Sequence, residues 1–271
     1  MSVYFTQCFG GGLLNILVVC LILGHRRLRT GCGLLIAHCL IAHTALCMLF
    51  FPLSTITVYG RLVAHWDYDA SAYCNTFMFL QVATRHVSNW LEVYVAANRL
   101  VALCFPFKYR NFAKEKLENE IVAVIWFLGY ALAFLGIYEI GTYYFSLPNG
   151  ACGYLQKTSW GMLTFVAGNW LPLAIAAAGY AIIYIRMLAN NFKRRRTFAL
   201  ENASQQDRSA EKSRLSKANM VFMAFFWNSV CYLVFPVMTA VAPQIPFRIP
   251  VVPLAMGNVQ ILGYTTNPKI C

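Results

Sequence analysis

Seven long apolar stretches take up most of this chain of 271 residues. A helix needs roughly 20 apolar residues to cross the hydrocarbon core of a bilayer, and a segment in lipid must satisfy its own backbone hydrogen bonds. Continuous apolar runs, rather than ten-residue alternations, select helices over barrel strands. The spacing therefore predicts an all-α membrane protein, a seven-transmembrane helix bundle that forms one domain over residues 1–271. The spans are expected at about residues 4–24, 32–59, 74–104, 120–143, 159–188, 215–242 and 250–270. The loops between them are too short to hold a separate soluble domain.

Charge orients the bundle. The formal net charge of +12 would suggest nucleic acid in a soluble protein. Here the basic residues are sorted between the two sides. Arg26, Arg27 and Arg29 follow the first span, and Lys108, Arg110, Lys114 and Lys116 follow the third. Nine more lie between Arg186 and Lys217, whereas the opposite loops hold only Arg61, Lys157 and Arg248. Cytoplasmic loops carry the excess of Lys and Arg, so the N-terminus is expected to be extracellular, with lipid as one partner and no nucleic acid. The run Lys193–Arg196 suits anionic headgroups, and the loop around it reads as disordered or as a helical extension. No Cys-x-x-Cys pair suggests a metal or redox motif, and no cofactor is expected. Only Cys74 and Cys152 fall in outward-facing segments where they could meet, and that side is oxidising.

The third span carries the polar residues that matter most. Gln81, Arg85, Ser88, Glu92 and Arg99 follow steps of four, three, four and seven, so they share one helical face. Such a stripe must face the bundle interior, because a charge in lipid is costly. Gln81 and Arg85 are expected to line an outward-opening cavity with Trp66 of the preceding loop. Arg85 is read either as a structural ion pair, with Glu92 or Glu139, or as an anchor for an acidic ligand, since guanidinium grips carboxylate and phosphate bidentately. His86, one residue off the stripe, is expected to pack on a neighbouring helix. Arg99 is either a basic residue snorkelling to the interface or part of a switch within reach of Tyr180. Pro52, Pro172, Pro236 and Pro268 interrupt their spans and supply kinks.

In combination these residues resemble the rhodopsin-like (class A) G-protein-coupled receptors, over essentially the whole chain. Asn15 is similar to that family's helix-one asparagine, and Trp126 to its helix-four tryptophan. Cys74 stands twenty-five residues before Arg99, the family's spacing from its disulfide cysteine to the arginine of its Asp-Arg-Tyr motif. Asn98-Arg99-Leu100 with Phe105-Pro106 resembles that motif and its loop. Pro172 with Tyr180 resembles the helix-five pair, and Asn267-Pro268 the start of the helix-seven Asn-Pro-x-x-Tyr motif.

The departures are specific. Asn98 replaces the usual acid, which leaves the pair that quiets Arg99 weakened. His43 stands where the helix-two aspartate would be, which puts the sodium pocket in question. Leu233-Val234-Phe235-Pro236 replaces the helix-six Cys-Trp-x-Pro motif, and Glu92 replaces an apolar residue. Cys271 falls at the helix-seven tyrosine and the chain stops there, as expected of a truncated or divergent receptor. The only helix-seven lysine, Lys269, is misplaced for an opsin, and Gln81 stands where amine receptors carry aspartate. The pattern resembles divergent orphan or chemosensory members.

The resemblance implies a plasma-membrane receptor, not an enzyme, that converts an unknown extracellular ligand into activation of a heterotrimeric G protein. A Cys74–Cys152 disulfide, ligand contacts at Gln81, Arg85 and Trp66, and a switch using Asn98, Arg99, Tyr180, Pro236, Asn267 and Pro268 would serve it, with Asn15, Trp126 and Pro172 structural. The rival readings are a channel or transporter that uses Arg85, His86 and Glu92 as an ion relay, and a non-signalling truncated receptor.

Overall fold

A computed structural model of the chain describes residues 2–29, 33–65, 70–105, 107, 109, 114–147 and 150–200, with Trp227 and Val230. Trp66, Pro236, Asn267, Pro268 and nearly all of the expected sixth and seventh spans lie outside the described residues.

The described part is mostly helical. Helix α1 (Ser2–Gly24) leads through a single turn, α2 (Arg26–Arg29), to α3 (Gly33–Ala45) and α4 (Phe51–Leu62). Helix α5 (Ala70–Cys104) is followed by α6 (Glu115–Phe134). After a hairpin of β1 (Thr142–Ser146) and β2 (Cys152–Gln156) come α7 (Ser159–Phe165) and α8 (Leu171–Leu200). Four helical stretches, Tyr4–Gly24, Gly33–Arg61, Lys116–Phe134 and Ser159–Ala189, are long and apolar enough to cross a membrane. Helix α5, at 35 residues, would extend about 52 Å at 1.5 Å per residue. It packs against α3, α6 and α8, so it is the axis of the described bundle.

Two pairs of helices are continuous rods interrupted by one widened turn. Leu46–Phe50 joins α3 to α4, and Val166–Trp170 joins α7 to α8, both with π-helical hydrogen bonding. Each lies just ahead of a proline, Pro52 or Pro172. Proline has no N–H to donate and its ring crowds the carbonyl four residues back. A wider turn relieves that crowding: the Leu171 N–H bonds to the Val166 carbonyl, five residues earlier.

Side chains sort by environment. Phe50, Phe51, Phe77, Met78 and Tyr144 form one buried cluster, and Leu35, Val87, Leu91, Tyr94 and Val122 another. Leu13, Leu17 and Leu21, one turn apart on α1, are exposed, as are Phe127 and Leu128 of α6. Exposed apolar stripes on helices of this length are what a lipid-facing surface requires.

The fourth span was expected to run to Tyr143, but the helix stops at Phe134. The chain then turns through Glu139 (φ 53°) and Gly141 (φ 83°), both in the left-handed region. The next residues, Thr142-Tyr143-Tyr144-Phe145, are β-branched and aromatic and suit a strand. They pair antiparallel with 152–156, Tyr144 opposite Tyr154 and Ser146 opposite Cys152. At the hairpin tip Gly150 (φ 79°) sits so close to α4 that an added Cβ would lie 3.0 Å from the Thr57 carbonyl. Helix α7 then starts on Thr158, whose hydroxyl caps the Gly161 N–H. Helix α8 continues to Leu200, into the first part of the loop read as disordered or as a helical extension.

A disulfide between Cys74 and Cys152 fastens the hairpin to the start of α5 across 78 residues of chain. Closing a loop of that length restricts the unfolded chain considerably. Replacing both cysteines by serine should therefore cost about 2–4 kcal/mol in thermal unfolding and expose residues 142–156 to limited proteolysis.

Candidate ligand cavity and helix-end switch

The polar face of α5 is turned inward. Gln81 and Arg85 are each 9% exposed and Ser88 is 1% exposed, while Glu92 and Arg99 are part-buried. Arg85 lies in the N-terminal half of α5, the half that Cys74 ties to the hairpin. Burial raises the Tyr154 hydroxyl above its ordinary pKa, and the nearby charge of Arg85 opposes that shift. The charge of Arg85 is thus felt at strand β2, which the disulfide holds in place. Glu139, one partner considered for Arg85, lies 3.0 Å from Lys157 at the exposed end of the hairpin. The other, Glu92, has an oxygen 3.6 Å from Nε2 of His43.

A small cleft lies between α5, α6, α7 and the hairpin. Val82, His86, Tyr144, Tyr154, Thr164 and Phe165 line it; Gln81 and Arg85 are not on this wall. His86 packs on the neighbouring helix, as expected. Its ring fits against Gly168, where an added Cβ would come within 2.2 Å of Nε2. His86 therefore turns toward Gly168 and Glu92 toward His43, so the ion-relay reading gains no continuous path from them.

One residue at this crossing escaped the sequence reading. Asn89 Nδ2 donates to the Gly168 carbonyl at 2.8 Å. Gly168 is four residues before Pro172, so its carbonyl is the one that the missing proline N–H leaves without its usual helical donor. The amide from α5 replaces that donor, as membrane bundles require where a proline interrupts a helix. Sequence could have suggested it only by matching a buried amide on one helix to the i−4 carbonyl of a proline on another.

At the far end of α5, Asn98 is 2% exposed and its Nδ2 lies 3.5 Å from Oε1 of Glu118, itself 2% exposed, in the first turn of α6. An acid suits that position because helix N-termini carry partial positive charge. The missing acid of the resemblance is thus supplied in space by the next helix, next to Asn98 rather than in its place. Arg99 is part-buried, five residues before the end of α5. Tyr180, expected near Arg99, packs on Ala96 and Ala176, one turn away from it.

The three residues assigned structural roles are inside or at the edge of the core. Asn15 is fully buried, and neither amide atom has a hydrogen-bond partner among the described residues. Trp126 stacks on Tyr130 with ring centroids 6.1 Å apart, and Pro172 is fully buried. The sodium ion implied by the resemblance does not fit His43. His43 offers a ring nitrogen, with Cys39 Sγ 3.8 Å away and a carboxylate oxygen of Glu92 at 3.6 Å, a mixed nitrogen, sulfur and oxygen donor set, whereas hard cations take shells made of oxygen.

Asn89→Ala should cost about 1–3 kcal/mol by stranding the Gly168 carbonyl. Pro172→Ala, which returns an N–H to the helix, should reduce that cost in a double-mutant cycle of thermal midpoints. Asn98→Asp should destabilise the chain by about 1–3 kcal/mol through two facing buried carboxylates, and Glu118→Gln should recover most of the loss.

Comparison with known proteins identifies the family. Residues 14–265 match the family model described as 7 transmembrane receptor (rhodopsin family). Olfactory receptor 1J4 of Homo sapiens is 31% identical over 134 residues, 47% of this chain and 41% of that receptor. Somatostatin receptor type 1 of Rattus norvegicus is 23% identical over 250 residues, 88% of this chain and 59% of that receptor. Trace amine-associated receptor 1 of Homo sapiens is 22% identical over 278 residues, 94% of this chain and 78% of that receptor. The chain spans about half the length of the first two relatives. With nearly its whole length matched, the chain belongs to the rhodopsin family of seven-transmembrane receptors.

Proposed function

We propose that the chain is a ligand-operated receptor that activates a heterotrimeric G protein. It would cross the plasma membrane seven times, with its N-terminus and the 142–156 hairpin outside. Two observations support this orientation. The Cys74–Cys152 bridge belongs on an oxidising side, and the basic loops at the other ends of the spans belong in the cytoplasm.

One observation carries the functional reading. A single unbroken helix, α5, holds Arg85 under the disulfide-pinned hairpin and Asn98-Arg99 fourteen residues further along. That separation is about 21 Å at 1.5 Å per residue, most of the thickness of a hydrocarbon core. A ligand bearing a carboxylate or phosphate, held by Arg85 with Gln81 and Trp66, would act on one end of this rod. The G protein would meet Arg99 and Tyr180 at the other. Pro236, Asn267 and Pro268 would permit movement of the helices that carry them. The ligand favours the active arrangement only by its difference in affinity for the two states. No covalent chemistry is assigned.

A nucleotide-exchange assay over a panel of G proteins tests this. The chain in lipid should accelerate exchange, and Arg99→Ala should reduce that acceleration at least about tenfold, a loss of roughly 1.4 kcal/mol of coupling. Equal exchange by both forms would remove Arg99 from the mechanism, and no exchange with any G protein would favour a non-signalling chain.

A further inference from the structure

Three potential metal ligands meet between α3 and α5, away from the cavity and the helix-end switch. Cys39 and His43 are one turn apart on α3, on the same face. Glu92 projects from α5 toward them. Cys39 Sγ is 3.8 Å from His43 Nε2, and His43 Nε2 is 3.6 Å from Glu92 Oε1. All three ligand atoms lie within 4.8 Å of one another. We propose that Cys39, His43 and Glu92 bind one divalent cation of the zinc class, clipping α3 to α5 in the bundle interior.

The distances suit such an ion. With Zn–S near 2.3 Å and Zn–N and Zn–O near 2.0–2.2 Å, tetrahedral geometry sets S···N at about 3.6 Å and N···O at about 3.4 Å. The S···N and N···O separations exceed these by only about 0.2 Å each, which small side-chain rotations close; the sulfur and the carboxylate oxygen, within 4.8 Å of each other, would draw together in the same movement. Charge suits it as well. A thiolate and a carboxylate together carry two negative charges, which a divalent ion neutralises inside a bundle where an isolated charge is costly. Binding releases the Cys39 thiol proton to solvent, with the imidazole coordinating as the neutral ring. The donor set selects the metal: thiolate and imidazole favour zinc and its neighbours over sodium, magnesium or calcium.

The Glu92 side chain is 18% exposed while that of His43 is 0% exposed, so the carboxylate is the more accessible of these two ligands. Three protein ligands leave a fourth position for water.

The bland alternative is an ion pair or hydrogen bond between His43 and Glu92 with Cys39 a bystander. Cobalt(II) separates the two readings, since only sulfur ligation gives a thiolate-to-cobalt charge-transfer band. The full chain, purified in detergent under reducing conditions on a tag without histidine, should bind one equivalent of cobalt with that band. Zinc should bleach it. Cys39→Ala and His43→Phe should each abolish the band and weaken binding by more than about tenfold, at least what loss of an outer partner costs a metal site. Cys20→Ala, removing an exposed thiol on α1, should leave it intact. Bound metal should raise the thermal midpoint of the wild-type chain but not of Cys39→Ala. Absence of the band in the wild-type chain, or a band unchanged in Cys39→Ala, would overturn the site. None of these readouts depends on signalling, so this proposal and the receptor reading stand or fall separately.

Discussion

Lipid cannot solvate an arginine, two amides and a carboxylate distributed along one helix. Gln81, Arg85, Asn89 and Glu92 on α5 therefore force that helix into the centre and oblige its neighbours to supply partners. Each neighbour does so differently. The hairpin brings Tyr154 near Arg85, α3 presents His43 to Glu92, and the turn ahead of α8 offers the Gly168 carbonyl to Asn89. Toward the C-terminal end of α5, α6 places Glu118 beside Asn98. The apolar clusters fill the space between these contacts, but apolar packing alone would not choose which helices stand next to which.

How much of this could be read beforehand depended on the range of the interaction. The stripe on α5 was legible because helical periodicity is local. The disulfide was legible because only two cysteines were placed where they could meet. Other features needed partners distant in sequence. Glu92 was paired on paper with Arg85 on its own helix, whereas its partner is His43 of α3; a thiol and an imidazole one turn apart, such as Cys39 and His43, form no motif until a third ligand stands opposite. Asn98 looked like the loss of an acid, and the acid was on the next helix. Thr142 and Tyr143, the first residues of strand β1, fell inside the expected fourth span. Their β-branched and aromatic character, following Gly141, was the better guide.

The hairpin shows how a membrane bundle can build a fixed outer wall from few residues. It is held by the bridge to α5, by a hydrogen bond from the Tyr144 hydroxyl to the Ala133 carbonyl at 2.8 Å, and by a glycine tip seated on α4. It touches both ends of the chain between α5 and α7, so the wall over Arg85 is positioned by contacts that do not involve any ligand.

The widened turns have a geometric consequence of their own. Each inserts one residue relative to a regular helix, which offsets everything beyond it by about 100° of rotation. A rod such as α3–α4 is therefore two separately aimed half-rods. The first half, α3, directs Cys39 and His43 at α5, while the second, α4, sets the Thr57 carbonyl against the tip of the hairpin. A lineup of related chains that slips by one position across Leu46–Phe50 keeps every apolar letter in a plausible place, yet exchanges the residues that look into the bundle for ones that look into lipid.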